Sequence, residues 1–284
     1  MTTLEESYAR CAALSRAQGP VHYTATLLLP RVKRHHVQAL FGFGRYAAEM
    51  VRGLKGAPVA EQVQALADLE ARFFEDLVRA DSRDLVLKAV VHTVIAFDIN
   101  PDYFRRFLRS MSSDLTVTTY ETFDDLLDYL DGAAAAVGEM VLPILEPVSA
   151  EAYTYARDLG IAMRLTNILR NVSLDLDRGH VYLPQEDLRR FGAEPWTRHV
   201  TPEWRALMAF EVRRTREYYA SVDQGIPLLP PSSARSVRAA RRLAVELLDR
   251  VERAGGDVFS TRPTVPVARR VITVGQNVLR RRAG

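Results

Sequence analysis

An all-α helical bundle is the fold class this sequence predicts, and three observations carry the prediction. From about residue 32 onwards, apolar residues recur at three- and four-residue spacing, the period of helices with one buried face. No run alternates apolar and polar residues between Asn-Gly or Asp-Gly turns, as hairpin strands would. Proline and glycine cut the chain at helix-length intervals. Pro30 opens a helix that holds Arg34 to Arg52, and the stretch Gly53 to Gly56 ends it. Asn100-Pro101 opens another. TVTTYETF (116–123) reads as a loop, with Thr122 capping the helix that begins FDDLLDYL. Pro143 and Pro147 close an Ala-rich helix. Pro184, Pro195, Pro202 and the PLLPP of 227–231 separate the later ones. No polar, low-complexity linker interrupts the series. About ten helices in one domain spanning 1–284 is therefore the expected organisation.

Composition narrows the function classes. The 284 residues are 48% apolar and 26% charged, the balance of an ordinary globular protein. Thirty-eight basic against thirty-five acidic residues leave a net charge of only +3. All basic residues but Lys33, Lys55 and Lys88 are arginine, a bias that genome composition explains. The clusters Arg235/Arg238/Arg241/Arg242 and Arg280 to Arg282 have acidic neighbours or sit at the chain end, without interleaved aromatics, so nucleic acid is not the expected partner. The terminal arginines read as a solvated tail, with at most peripheral contact with anionic lipid. A lone Cys11 excludes a disulfide framework and points to a reducing compartment. The opening residues carry Glu5 and Glu6 and no apolar core of a secretory signal. The longest apolar stretches, near 85–97 and 132–148, fall short of the roughly 20 residues of a spanning helix. A soluble, cytoplasmic protein is the expectation.

The densest chemical signal is GIAMRLTNILRNVSLDLDRGHVYLP (160–184). On a helix, Asn167, Asn171 and Asp175 stand four residues apart and stack in one column of oxygens. Arg164 and Arg178 extend the same face by three residues at either end. Two amides and a carboxylate suit a hard divalent cation such as Mg²⁺, and the arginines suit phosphate oxygens beside it. The alternative is a solvated polar face capped at its C-terminal end. The RGHVYLP that follows is a defined turn, which holds Tyr182 near the column.

LTNILRNVSLDLDRGHVYLP resembles the second aspartate-rich motif of squalene and phytoene synthases, QLTNILRDVxEDxxRGRxYLP. The resemblance runs along almost the whole chain. HYTATLLLPRVKRHHVQALFGFGRYAAEMV is similar to that family's first helices, and FDINPDYFRRFLRSMSSDL to its middle segment ending in an Asp, here Asp114. DYLDGAAAAVGEMVLPIL is similar to its pocket helix, and AGGDVF to its C-terminal Gly-Tyr-Asp-Val-Phe. The resemblance implies an isoprenoid synthase bundle with a central cavity, in which Mg²⁺ between two acidic helices binds prenyl diphosphates above an apolar tail pocket.

The departures from the family are as informative. After Arg45, the aspartates of the first motif, DDxxD, fall on Ala48, Glu49 and Arg52. In the second motif the leading aspartate is Asn171, the upstream Gln is Arg164, and the arginine of RGR is His180. The family's C-terminal tyrosines fall on Ala244 and Gly256. Of about five carboxylates, Glu49 and Asp175 remain. Arginine is therefore expected to replace part of the metal cluster, with one Mg²⁺ held by Asn167, Asn171 and Asp175.

The resemblance then assigns the site. Asp175, Glu49, Arg52 and Tyr182 are its expected catalytic groups. Arg45, Arg164, Arg170, Arg178 and His22 are its expected diphosphate ligands, His22 lying beside Tyr23, Thr24 and Thr26. Phe41, Tyr129, Ala133, Ala136 and Ala244 are expected to line the prenyl and acceptor pocket. His35 and His36 read as surface residues, Asp114 as a helix-end ligand of backbone amides, and Trp196 and Trp204 as packing. The leading functional expectation is transfer of one short prenyl group, dimethylallyl or slightly longer, to an aromatic acceptor. It matches the squalene-synthase-like aromatic prenyltransferases of bacterial secondary metabolism, carbazole-modifying ones included. Two alternatives stay open: head-to-head condensation of two long prenyl diphosphates, and a non-catalytic binding or assembly factor.

Overall fold

A computed structural model of the chain describes residues 3–266, 268 and 269. Arg280 to Arg282 lie outside these residues. Among the described residues the architecture is helical throughout, with an isolated bridge between Thr119 and Val181 in place of any strand. The helices are α1 (Leu4–Gln18), α2 (Pro20–Thr26), α3 (Arg31–Gly53), α4 (Val59–Arg79), α5 (Leu87–Ala96) and α6 (Asp102–Ser113). There follow α7 (Phe123–Leu130), α8 (Ala136–Leu145), α9 (Ala152–Leu176), α10 (Gln185–Phe191), α11 (Pro202–Gly225) and α12 (Pro231–Arg253). A π-turn, Asp131–Ala135, joins α7 to α8, and 3₁₀ turns at Pro195–Thr197 and Ile226–Leu228 flank α11. The described helices outnumber the ten expected because α2 and α10, of seven residues each, are too short to show periodicity.

Local chemistry sets the ends of these helices. Thr3 and Glu6 form a capping box on α1, and Thr122 and Asp125 form one on α7, as the sequence of the 116–123 loop predicts. Thr201 caps α11, with Pro202 in its first turn. Pro143 corrects the expected end of the Ala-rich segment. It lies inside α8, which runs two residues further to Leu145.

Among the described residues, two large apolar cores and three smaller buried clusters hold the helices together. One gathers α1, α3, α4, α5, α6 and α8 around Phe43, Phe73 and Phe104, with the rings of Phe73 and Phe104 stacked at 4.5 Å. The other gathers α9, α11 and α12 around Trp204, Tyr219 and Leu248. Helices α8 and α9 cross between the cores at almost touching distance. A Cβ on Gly138 would stand 2.1 Å from the Ala156 carbonyl oxygen, and one on Gly160 2.2 Å from that of Ala134. Neither position admits a side chain without moving a backbone.

The π-turn is pinned by charge. Arg106 and Arg157 both bridge Asp131 and Glu139, with nitrogen–oxygen distances of 2.6 to 3.1 Å. Only Glu139 of the four is buried, so the network contributes modestly to net stability, with solvent screening part of its attraction. It ties the π-turn, through Asp131, to Arg106 of α6, Glu139 of α8 and Arg157 of α9.

Three expected placements change. His36 is buried, not at the surface: its Nδ1 lies 2.9 Å from both the Tyr8 hydroxyl and Thr93 Oγ1. His35 is half-buried beside it. Trp196 is 58% exposed and packs little, whereas Trp204 is fully buried and donates from Nε1 to the Gly256 carbonyl. Among the described residues no helix is long and apolar enough to cross a membrane.

Candidate active-site cavity

One face of α9 builds the site. Ala152, Tyr155, Ala156, Leu159, Gly160, Met163, Arg164 and Asn167 all border a central cavity of about 270 Å³, and their alternating spacing of three and one makes a single helical stripe. At 1.5 Å per residue that stripe is about 22 Å long. Its lower part is apolar and its upper end carries Arg164 and Asn167. Helices α2, α3, α8, α11 and α12 close the other sides; Phe41 and Ala133 border the cavity as the sequence predicts, and so does His22.

Three expected pocket residues stand elsewhere. Ala136 is fully buried in the first core, on the far side of α8. From this segment Ala133, Val137 and Val141 line the cavity at i, i+4 spacing, with Ala134 and Gly138 beside them. Ala244 lies one turn beyond Ala240, where the cavity has ended and α12 packs on α9 and α11. Tyr129 stands behind the wall, where its hydroxyl accepts a hydrogen bond from Arg164 Nη2 at 2.7 Å.

Behind Arg164 the three phenol rings of Tyr120, Tyr129 and Tyr182 pack within 6 Å of one another. The Arg164 guanidinium carbon lies 5.1 Å from the Tyr182 ring centre, a cation–π distance. Tyr182 donates to Asp114 Oδ1 at 2.5 Å. This corrects the reading of Asp114: its side chain takes a phenol, not backbone amides. Burial raises the Tyr182 hydroxyl far above the usual phenol range, with help from Tyr129 and Asp114 and against the pull of Arg164. Tyr182 is thus a neutral donor. It is placed by the turn after α9, where Gly179 adopts φ +77° so that the chain can reverse. His180 Nε2 and the Val181 amide then fasten the turn to the Asp114 and Thr118 carbonyls at 2.8 Å each.

The upper rim is rich in arginine. Glu49 is clamped by Arg45 Nε at 2.8 Å, with Arg10 of α1 at 3.9 Å. Arg52 is exposed, reaches back to the Ala48 carbonyl and lies within electrostatic range of Arg45 and Arg178. Arg178 stands 3.8 Å from Asp175. Burial raises the Asp175 carboxyl to about 6, against the opposing pull of Arg164 and Arg178. Burial, then Arg170, lowers His22 to about 4, so its imidazole is neutral at physiological pH and offers a hydrogen bond rather than a charge.

The column itself is engaged. Asn167 Oδ1 accepts from Arg170 Nη2 and Asn171 Oδ1 from Arg262 Nε, each at 2.9 Å. Sequence reasoning missed Arg262. It lies three residues beyond the AGGDVF segment, and no spacing rule ties it to α9. A cluster of Mg²⁺ ions needs several free oxygen ligands, carboxylates above all. The residues present do not fit one: Ala48 and Arg52 supply no oxygen anion, Glu49 is clamped, and two of the three column oxygens hold guanidinium donors. Among the described residues, no three His, Cys, Asp or Glu side chains converge as a metal site.

Comparison with known proteins agrees with this architecture. The family model described as squalene/phytoene synthase matches residues 15–269. The 15-cis-phytoene synthase of Synechococcus elongatus is 32% identical, over 99% of this chain and 95% of the relative. Phytoene synthase 2 of Solanum lycopersicum, a chloroplastic protein, is 31% identical over 95% and 89%. Among solved structures, a ligand-bound dehydrosqualene synthase shares the fold with a TM-score of 0.88 at 24% identity, over 99% of this chain and 98% of that one. A squalene synthase from Alicyclobacillus acidocaldarius gives 0.79 at 25%, over 89% and 95%. With the motif-bearing α9 at its centre and the family's sequence pattern along nearly its whole length, the chain belongs to the squalene/phytoene synthase family, a family of prenyl-transferring enzymes.

Proposed function

We propose that this chain condenses two long prenyl diphosphates head to head, as its phytoene- and squalene-synthase relatives do by name. The observation that carries this reading is the length of the apolar stripe on α9. From Met163 to Ala152 it runs about 17 Å, which suits an extended chain of three to four isoprene units. A dimethylallyl group would fill only its first turn. The diphosphate is held at the rim by arginine and by the neutral His22. The departing oxygens then meet guanidinium groups in a site walled by apolar side chains, where such charge stabilises ionisation best. Tyr129 and Tyr182 hold Arg164 in place, and Tyr182 in turn fixes Asp114.

Transfer to an aromatic acceptor is the second reading. It is favoured by the state of α3, where Glu49 is taken up by Arg45 and Arg10 and Arg52 stands where an acid would. Such a rim supports one ionisation more readily than two in succession. Incubation with farnesyl and geranylgeranyl diphosphate, each alone, tests the first reading. A C30 or C40 hydrocarbon product supports it. Diphosphate release only from dimethylallyl diphosphate with an aromatic acceptor would replace it with the second. No release under any condition would leave a binding factor.

A further inference from the structure

The hydrogen-bonding state of the rim separates two kinds of ligand. Its orphaned polar atoms are donors: the Nε–H groups of Arg164 and Arg170 are buried without an acceptor. Burial depresses the Arg170 guanidinium to about 10, with Arg262 adding to the effect. A cation cannot satisfy a buried N–H group, but a phosphate oxygen can. Conversely, most of the oxygens that a cation would seek already hold guanidinium donors: Glu49 Oε1 that of Arg45, Asn167 that of Arg170 and Asn171 that of Arg262, while Asp175 stands apart, 3.8 Å from Arg178. The charge balance points the same way. Arg10, Arg45, Arg52, Arg164, Arg170, Arg178 and Arg262 stand around only two rim carboxylates, Glu49 and Asp175, a clear excess of positive charges. A prenyl diphosphate carries about three negative ones, spread over oxygens that match the guanidinium fork.

We infer that the rim is a metal-independent diphosphate site, in which Arg262 on Asn171 and Arg52 on α3 stand where the family's pattern places acid-bound Mg²⁺. Arg262 comes from the segment after α12 and closes the α9 column from outside. Arg52 lies within electrostatic range of Arg178, and a bound anion would relieve their repulsion. This inference rests on the reading that the ligand is a prenyl diphosphate, but it concerns only the diphosphate end.

The test is calorimetric titration of the full chain with inorganic pyrophosphate, in EDTA and again in excess Mg²⁺. Binding in EDTA with a Kd within threefold of that in Mg²⁺ is expected. Arg52→Ala and Arg262→Ala should each weaken the EDTA titration tenfold or more. Both side chains are exposed, so both variants should keep the wild-type melting temperature, which is measured alongside. Pyrophosphate binding that appears only with Mg²⁺, or that survives both substitutions in EDTA, overturns the inference. Metal-free binding of pyrophosphate by a chain that turns over no prenyl diphosphate would instead sink the synthase reading and leave this site standing.

Discussion

The Tyr182 hydroxyl meets Asp114 Oδ1 at 2.5 Å, joining the turn after α9 to the end of α6. Both groups sit behind Arg164, out of the cavity, so they act by holding that guanidinium rather than by touching a prenyl chain. Tyr182→Phe keeps the ring stack and removes only the donor, leaving a half-buried carboxylate unpaired. The expected cost is about 1–3 kcal/mol of stability, read from urea denaturation. Turnover should fall at least tenfold as Arg164 loses its fixed backing. Unchanged stability and rate would remove the positioning role.

Ala133 borders the cavity, whereas Ala136, three residues on, is fully buried in the first core. Ala133→Phe should fold and shorten the preferred donor, because the ring enters the cavity. Ala136→Phe should instead overpack the first core and cost about 1–3 kcal/mol or more. Measuring donor preference and melting temperature for both separates cavity from core. The same donor profile in the Ala133 variant as in the wild type would contradict the assigned register of α8.

Glu139 is buried and bridges Arg106 and Arg157. Glu139→Ala leaves both arginines on Asp131 alone with one unbalanced positive charge, at an expected cost of about 1–3 kcal/mol because Arg157 and Asp131 are partly solvated. Glu139→Gln should recover part of the loss through its remaining hydrogen bonds. A loss below about 1 kcal/mol in chemical denaturation would show the π-turn to be held by packing alone.

Acid should destabilise the fold through His36. Burial, with His35 and His92 beside it, lowers this imidazole from 6.5 to about 4; Tyr8 and Thr93 face it from α1 and α5. Between those values the unfolded chain takes up a proton that the folded chain refuses. Stability is therefore complete above about pH 6.5 and falls towards pH 4, by at most about 1.4 kcal/mol per pH unit for one group. His22 adds to the same window. Urea midpoints from pH 7 to 4.5 should slope less steeply in His36→Gln, and an equal slope in both proteins would reject the assignment.

The helices themselves were legible because each signal was local. Thr122 caps α7 through its own neighbour Asp125, and the period of α9 aligns Arg164, Asn167, Asn171 and Asp175 on consecutive turns. The family pattern was legible for the same reason, since RGHVYLP is a continuous string. His36 was misread because its partners, Tyr8 and Thr93, lie 28 and 57 residues away and no spacing announces them.

The sequence alone determined the all-α class, the family, the arginine bias of the rim and the loss of its carboxylates, all properties of residue identity and short-range period. Tertiary structure decided which of those residues meet: that Glu49 is spent on Arg45 and Arg10, that Asn171 is taken by Arg262 from 91 residues away, and that Ala136 and Ala244 fall outside the cavity. The reason is physical. A helix fixes which side chains share a face, but the neighbour that face receives is chosen by packing across the whole bundle, where one distant arginine changes what an oxygen is free to bind.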